Sequence, residues 1–484
     1  MKITLNIAAL FFLVLFSFLS WQLLTVCTQK LRCDYATFYK TFSQDHQFYQ
    51  FYTAVDVVGA SSILQKPVTY INNERTSFNL NTPLMTLVLK EIVTVSDNLQ
   101  KQTAVWVIAA LFCAGLSILI LQNTIVLSTH AHRYFLLILL ALWMNWFALF
   151  NTAAGQIAFF LLPLLCLIFY LDHLKRYGSS AILIGLMASL KLFFLLFLLL
   201  YCVRRQWRYF VIAATAFIFF FFLPLLSMHW ENYQLFFHLN AFSWGIVNRA
   251  TSGLNGTLLG FVGNVFRRFY LHPSLLVIAI PTIFLTLLIL LSGLIFNNRV
   301  IRYLPAFSDE LQFCFFIVLT LLCSPLGWMY YYIFLLIPAW VIFAIAGQFT
   351  LSKRFFIYFT AALFLPYFTS IDGSSVLSEV VQRFSVFIAL LCWLASLFLL
   401  SDAVHKSEKN IHGGQALIIT IIVLYILTGI TLLSYNKGLV DFLNIDKTHY
   451  MKTEPQGIWL SSADQKRLTR DRKITGSAKN IQQW

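Results

Sequence analysis

Charge is scarce in this chain. Asp, Glu, Lys and Arg make up only 11% of its 484 residues, against roughly 25% in soluble globular domains, which excludes an ordinary water-soluble fold. Acids are scarcest, with 19 Asp+Glu beneath 34 Lys+Arg and a net charge of +15. Such a surplus would suit a nucleic-acid binder if it formed one patch. Here the bases fall mostly between long apolar runs, so they read as a topology signal and a contact with anionic membrane lipids, and no nucleic-acid partner is expected. The eight Cys include no CxxC pair and no Cys/His cluster, and Cys113, Cys166, Cys202, Cys314 and Cys392 sit inside apolar runs as small hydrophobes. No His/Asp/Cys arrangement has metal-ligand spacing and no Asp-x-Asp stands in an outward loop, so neither a metal nor a cofactor is expected.

What the chain has is apolar length: 59% of it is hydrophobic, with 49 Phe. At about 20 residues per crossing, spans are expected near 3–26, 103–121, 134–151, 155–171, 209–227, 273–296, 311–323, 328–348, 355–370, 384–401 and 415–435. The first of these lacks a small-x-small cleavage site and is read as a retained span, not a signal peptide. The stretch from Ala181 to Val203 is anomalous, because Lys175 and Arg176 precede it and Arg204, Arg205 and Arg208 follow it. A single crossing would put one basic cluster outside, so a re-entrant pair of short helices with its tip near Lys191 fits the positive-inside rule better. The expected architecture is an all-α polytopic membrane protein of about eleven transmembrane helices plus that re-entrant pair. One domain runs from 1 to 435, and a basic tail from 436 to 484 lands on the extracytoplasmic side.

Two long segments, 28–102 and 228–272, then face outward, and chemistry is sought there. Asp34, in RCDYATFYK, follows the first span closely, where partial desolvation would raise its proton affinity and suit it to general-base work. An ordinary interfacial acid is the plainer reading. Lys191 sits inside apolar sequence, where a Lys costs on the order of 2.5–3.5 kcal/mol at a bilayer centre. A lipid-linked phosphate, helix C-terminal carbonyls or a buried acid would each offset that cost. Arg249, Ser252 and Asn255 lie in NRATSGLNGTLLGFVGNVFRR, read as a flexible, donor-rich loop able to hold a phosphate or a sugar. His229, Trp230, His238 and Trp244 share that outward segment, with interfacial anchoring the commoner use of Trp.

In order along the chain, several pieces resemble the polytopic GT-C glycosyltransferases, and most closely glycosyltransferase family 87, which includes polyprenyl-phosphate-mannose-dependent mannosyltransferases of actinobacteria. They are Asp34, Tyr35, Phe38 and Tyr39 after the first span; Asn79 and Asn81 in FNLNTPL; Gly155 and Gln156 in NTAAGQIAFF; GLMASLK from Gly185 to Lys191; and Ser324, Pro325 and Trp328 in SPLGWMYYY. The chain departs from the family pattern after Trp328, where Met329, Tyr330 and Tyr331 replace an Asp-His or His-His pair, with Tyr330 as a substitute hydrogen-bonding group. It departs again after Lys191, where Leu192, Phe193 and Phe194 stand in place of a Pro.

The resemblance implies a GT-C fold and a metal-independent, inverting transfer of a hexose, mannose favoured. The donor would be a polyprenyl-phosphate sugar and the acceptor a lipid or envelope glycan, on the outer face of a bacterial inner membrane. Asp34 would be the catalytic base, with Tyr35, Tyr39, Asn79, Asn81, Gln156, Lys191, Arg249, Ser252, Asn255, Trp328 and Tyr330 around the substrates. A phosphate leaves as a stable anion, so one base plus donors for that phosphate suffices, whereas a glycosidase normally needs two carboxylates. A transporter or flippase for a lipid-linked or anionic substrate is the rival class, although no internal repeat of the kind such proteins carry is apparent.

Overall fold

A computed structural model of the chain describes residues 81–93, 99–125, 156–240, 255–269, 275–324, 327, 329–366, 376–400 and 404–405. The expected spans at 3–26, 134–151 and 415–435, most of the segment 28–102, and the boundary at 435/436 lie outside them.

The described chain is helical. Its only strand pairing is a two-residue contact, Phe349–Thr350 against Val404–His405. In chain order the helices are α1 (Pro83–Val93), α2 (Leu99–Thr124), α3 (Ala158–His173), α4 (Tyr177–Leu190), α5 (Leu198–Val203), α6 (Trp207–Phe222), α7 (Trp230–Asn240), α8 (Leu258–Phe269), α9 (Leu275–Tyr303), α10 (Ser308–Cys323), α11 (Leu336–Gln348), α12 (Lys353–Phe364) and α13 (Val376–Leu400). Among the described residues four segments, Ala104–Thr124, Trp207–Leu226, Ile278–Tyr303 and Pro305–Cys323, are long and apolar enough to cross a bilayer, and several shorter apolar helices accompany them.

Burial runs in the direction a lipid solvent demands. On α9 the side chains of Ile280, Ile283, Phe284, Leu287, Leu291 and Ile295 are exposed, as are Val211, Ile218 and Phe219 on α6. Such stripes would be intolerable in water and are at no disadvantage against acyl chains. By contrast α10 is buried from Glu310 to Leu322 and forms the centre of the packing. Phenylalanine fills that centre: Phe313 meets Phe169 at 5.1 Å and Phe197 at 5.2 Å between ring centroids, and Phe194 meets Phe334 at 5.5 Å. The protein is therefore an integral membrane protein with a Phe-lined core.

The anomalous stretch is a helical hairpin. Helix α4 ends at Leu190, Lys191 is extended (φ −145°, ψ 111°), and a 3-10 turn from Leu192 to Phe197 leads into α5. The two ends meet again, because the Tyr201 hydroxyl lies 3.1 Å from Ser180 Oγ and 3.4 Å from the Tyr177 carbonyl. Helix α4 packs closely on α6 at Gly185, where an added Cβ would lie 2.6 Å from the Ala213 carbonyl oxygen and from Phe217 N. The segment 228–272, expected to face outward as loop, is less loop-like than expected, since α7 and α8 occupy much of it. Thr257 starts α8 by accepting a hydrogen bond from Gly260 N at 3.0 Å, as a helix N-cap does.

Candidate functional site

The hairpin tip is built by two distant pieces of sequence. Thr82 precedes Pro83, and a hydroxyl at the N-cap with proline at the first helical position is a strong helix start. Accordingly Thr82 Oγ1 accepts from Met85 N at 3.2 Å and opens α1. The same hydroxyl donates to the Leu190 carbonyl at 3.0 Å, satisfying an acceptor left over where α4 stops. That contact explains how the helix breaks at Lys191 without a proline. It also brings Asn81 to the tip, where Lys191 Nζ donates to Asn81 Oδ1 at 2.6 Å. The ammonium lies 5.7 Å from the centroid of the Tyr331 ring, within cation–π range. Phe193 packs edge-on against Tyr331 at 4.9 Å, closing one side.

A second seam lies next to this cluster. The 3-10 segment Met329–Leu335 carries both Tyr331 and Tyr332, and Tyr332 turns to other partners. Its hydroxyl donates to the Val386 carbonyl at 3.1 Å, and a Cβ on Gly256 would collide with that same hydroxyl. Gly256 N donates to the Gly327 carbonyl at 3.3 Å, so the Asn255–Thr257 stretch is joined to the turn after α10. Asn255 and Ser324 are both buried at this seam. Gln156 is buried at the start of α3, a helix that packs on the 3-10 segment. Among the described residues no three His, Cys, Asp or Glu side chains gather as metal ligands would.

Four expected site residues are thus placed: Asn81 and Lys191 together, Asn255 at the neighbouring seam, and Gln156 at the start of α3. Asp34, Tyr35, Tyr39, Asn79, Arg249, Ser252 and Trp328 lie outside the described residues, as does the side chain of Tyr330. The tyrosine that the structure sets beside Lys191 is Tyr331.

The sequence profile of glycosyltransferase family 87 matches residues 79–325, just over half of the chain. The chain belongs to glycosyltransferase family 87. No curated protein and no solved structure matches it. The family 87 match opens at Asn79 and closes at Pro325, so it takes in Asn81, Lys191 and Asn255 and leaves Asp34, Tyr35, Tyr39, Trp328 and Tyr330 beyond its ends. The protein is accordingly a transferase, a glycosyltransferase of this family.

A polar cluster closes the base of the hairpin. Arg204, read above as one of the topology-setting bases, is 4% exposed in its side chain and bound to Asp172 at 2.8 and 2.9 Å. Its remaining donors reach Gln312 Oε1 at 2.6 Å and the Asp309 carbonyl at 2.8 Å. Asp309 also binds Lys175 and accepts from the Tyr177 hydroxyl at 3.2 Å, while His173 pairs with Glu310 at 2.7 Å. Asp309 and Glu310 open α10, where carboxylates complement the helix dipole. Basic groups from before and after the hairpin therefore converge on one acid, Asp309. Sequence reasoning passed over this cluster, although Asp172 beside Lys175 and Arg176 in so acid-poor a chain was a usable signal.

Proposed function

We propose that this family 87 glycosyltransferase moves a hexose, mannose favoured, from a polyprenyl-phosphate donor to a lipid or envelope-glycan acceptor on the extracytoplasmic side of a bacterial inner membrane. The observation that carries the reading is the cluster at the hairpin tip. An ammonium inside apolar sequence is held by a neutral amide and an aromatic face, contacts that a phosphate oxygen can share or displace. The return of both hairpin ends to Asp309 supports one membrane side for the two basic clusters and a re-entrant hairpin between them.

In the proposed step Asp34 takes the proton of the acceptor hydroxyl. The acceptor oxygen bonds to the anomeric carbon from the face opposite the phosphate, the carbon–oxygen bond to phosphate breaks, and its electron pair leaves on the phosphate. Inversion follows from the single displacement. Lys191 stabilises the departing phosphate, whose charge grows as the bond breaks, and no general acid or metal is required. Asn79, Gln156, Arg249, Ser252, Asn255, Trp328 and Tyr330, with Tyr35 and Tyr39, are assigned to holding donor and acceptor.

Asp34→Asn tests the base. Normal protein level and insertion with product formation down by about 10²–10⁴ is expected for a lost general base, and full turnover would remove Asp34 from the mechanism.

A further inference from the structure

The turns at the two ends of the hairpin are matched. At the first, Arg176 N closes back on the Leu171 carbonyl at 2.9 Å around Lys175 with φ 59°. At the second, Gln206 N closes on the Tyr201 carbonyl at 2.8 Å around Arg205 with φ 58°. This helix-ending turn places one residue in the left-handed region, where glycine is unstrained and side-chain-bearing residues are not. Here a Lys and an Arg occupy it. The two turns are also neighbours, with Tyr177 and Tyr209 rings 5.5 Å apart.

The charges at this end do not balance. Asp172, Asp309 and Glu310 are the acids packed against the turns, and they are taken up by Arg204, Lys175 and His173. Arg176, Arg205 and Arg208 are exposed, and no carboxylate among the described residues pairs with them. Neither α4 nor α6 has an acid in its first turn. Beside these arginines stand two exposed apolar side chains, Leu174 at 41% and Trp207 at 61%, and α6 continues from Trp207 into its exposed apolar stripe.

We propose that the paired turns form a binding surface for anionic phospholipid headgroups, with Arg176, Arg205 and Arg208 on the phosphate and the added negative charge, and Leu174 and Trp207 seated at the acyl boundary. A guanidinium fork matches phosphate geometry, tryptophan favours the headgroup level, and the surplus cation charge selects anionic over zwitterionic lipid. A basic residue kept at a strained position fits a role that glycine cannot fill.

The full-length protein in liposomes tests this, using tryptophan quenching by phosphatidylglycerol or phosphatidylcholine brominated on the acyl chain at equal mole fraction. Subtracting the signal of Trp207→Phe isolates Trp207. Quenching of that component is expected to be at least about twofold stronger with the brominated anionic lipid, and to lose this preference when Arg176, Arg205 and Arg208 are all changed to Gln. Arg205→Gly, which relieves the strained turn, is expected to raise the thermal midpoint while weakening the preference. Equal quenching by the two lipids, a preference that survives the triple Gln variant, or one undiminished in Arg205→Gly, overturns the proposal. So does a Trp207 signal that responds to soluble polyglutamate and not to lipid charge, which would favour an acidic protein partner.

Discussion

Thr82→Val removes a hydroxyl and keeps the shape of the side chain. The lost group serves two partners, the Met85 amide at 3.2 Å and the Leu190 carbonyl at 3.0 Å, in a side chain only 1% exposed. Losing an N-cap costs about 0.5–2 kcal/mol, and an orphaned, partly buried carbonyl up to about 1–3 kcal/mol, so a loss of about 1.5–5 kcal/mol is expected. Thr82→Ser keeps both hydrogen bonds and loses one methyl, which amounts to about 0.8 kcal/mol. The two variants, purified and compared by thermal unfolding and by product formation well below the midpoint, separate the hydroxyl from the packing. Valine should unfold several degrees below serine. It should also transfer sugar at least about tenfold more slowly even where both are folded, because Leu190, Lys191 and Asn81 share this anchor and small misplacements of a positioned group are costly. Indistinguishable midpoints and rates for the two variants would refute the argument that Thr82 sets the hairpin tip.

Three glycine and arginine variants probe how the hairpin is held. Gly185→Ala must push α4 and α6 apart, since the new Cβ would meet backbone at 2.6 Å; overpacking of about 1–3 kcal/mol should outweigh the helix-propensity gain of about 1 kcal/mol, read as a lower thermal midpoint. Gly178→Ala in the same helix meets nothing within 4 Å, so it should keep the propensity gain and raise the midpoint. Arg204→Leu leaves Asp172 charged and buried, at a cost of about 3–5 kcal/mol. Adding Asp172→Leu should return most of that stability, because a buried pair contributes little over apolar replacements, and a double variant no better than the single would contradict this.

Much of the scaffold was legible in the sequence because lipid-facing helices carry their signal in composition. The apolar runs near 103–121, 209–227 and 273–296 reappear in α2, α6 and α9. The hairpin was legible from charge alone, since basic residues on both sides of Ala181–Val203 marked its two ends. Its tip was placed by Lys191, but the reason the helix stops there was hidden: the breaking contact comes from Thr82, more than a hundred residues away in the chain. Arg204 shows the converse limit. A basic residue after an apolar run looks like a topology signal, and only packing shows that Asp172 and Gln312 have taken it inside. The stretch after Asn255 read as loop because its Gly and Asn residues are turn formers, yet α8 forms once Thr257 caps it.

The central claim is that Lys191 receives the phosphate of the donor. Steady-state turnover of a polyprenyl-phosphate mannose by purified Lys191→Met, beside Lys191→Arg and the wild type in the same lipid, tests it most directly. Losing one preorganised donor to a developing oxyanion is expected to lower kcat/KM by about 10²–10³, with Arg restoring part of it and thermal stability unchanged or raised. A methionine variant within about twofold of wild type in kcat/KM, a difference of under 0.5 kcal/mol in transition-state stabilisation, would contradict the account.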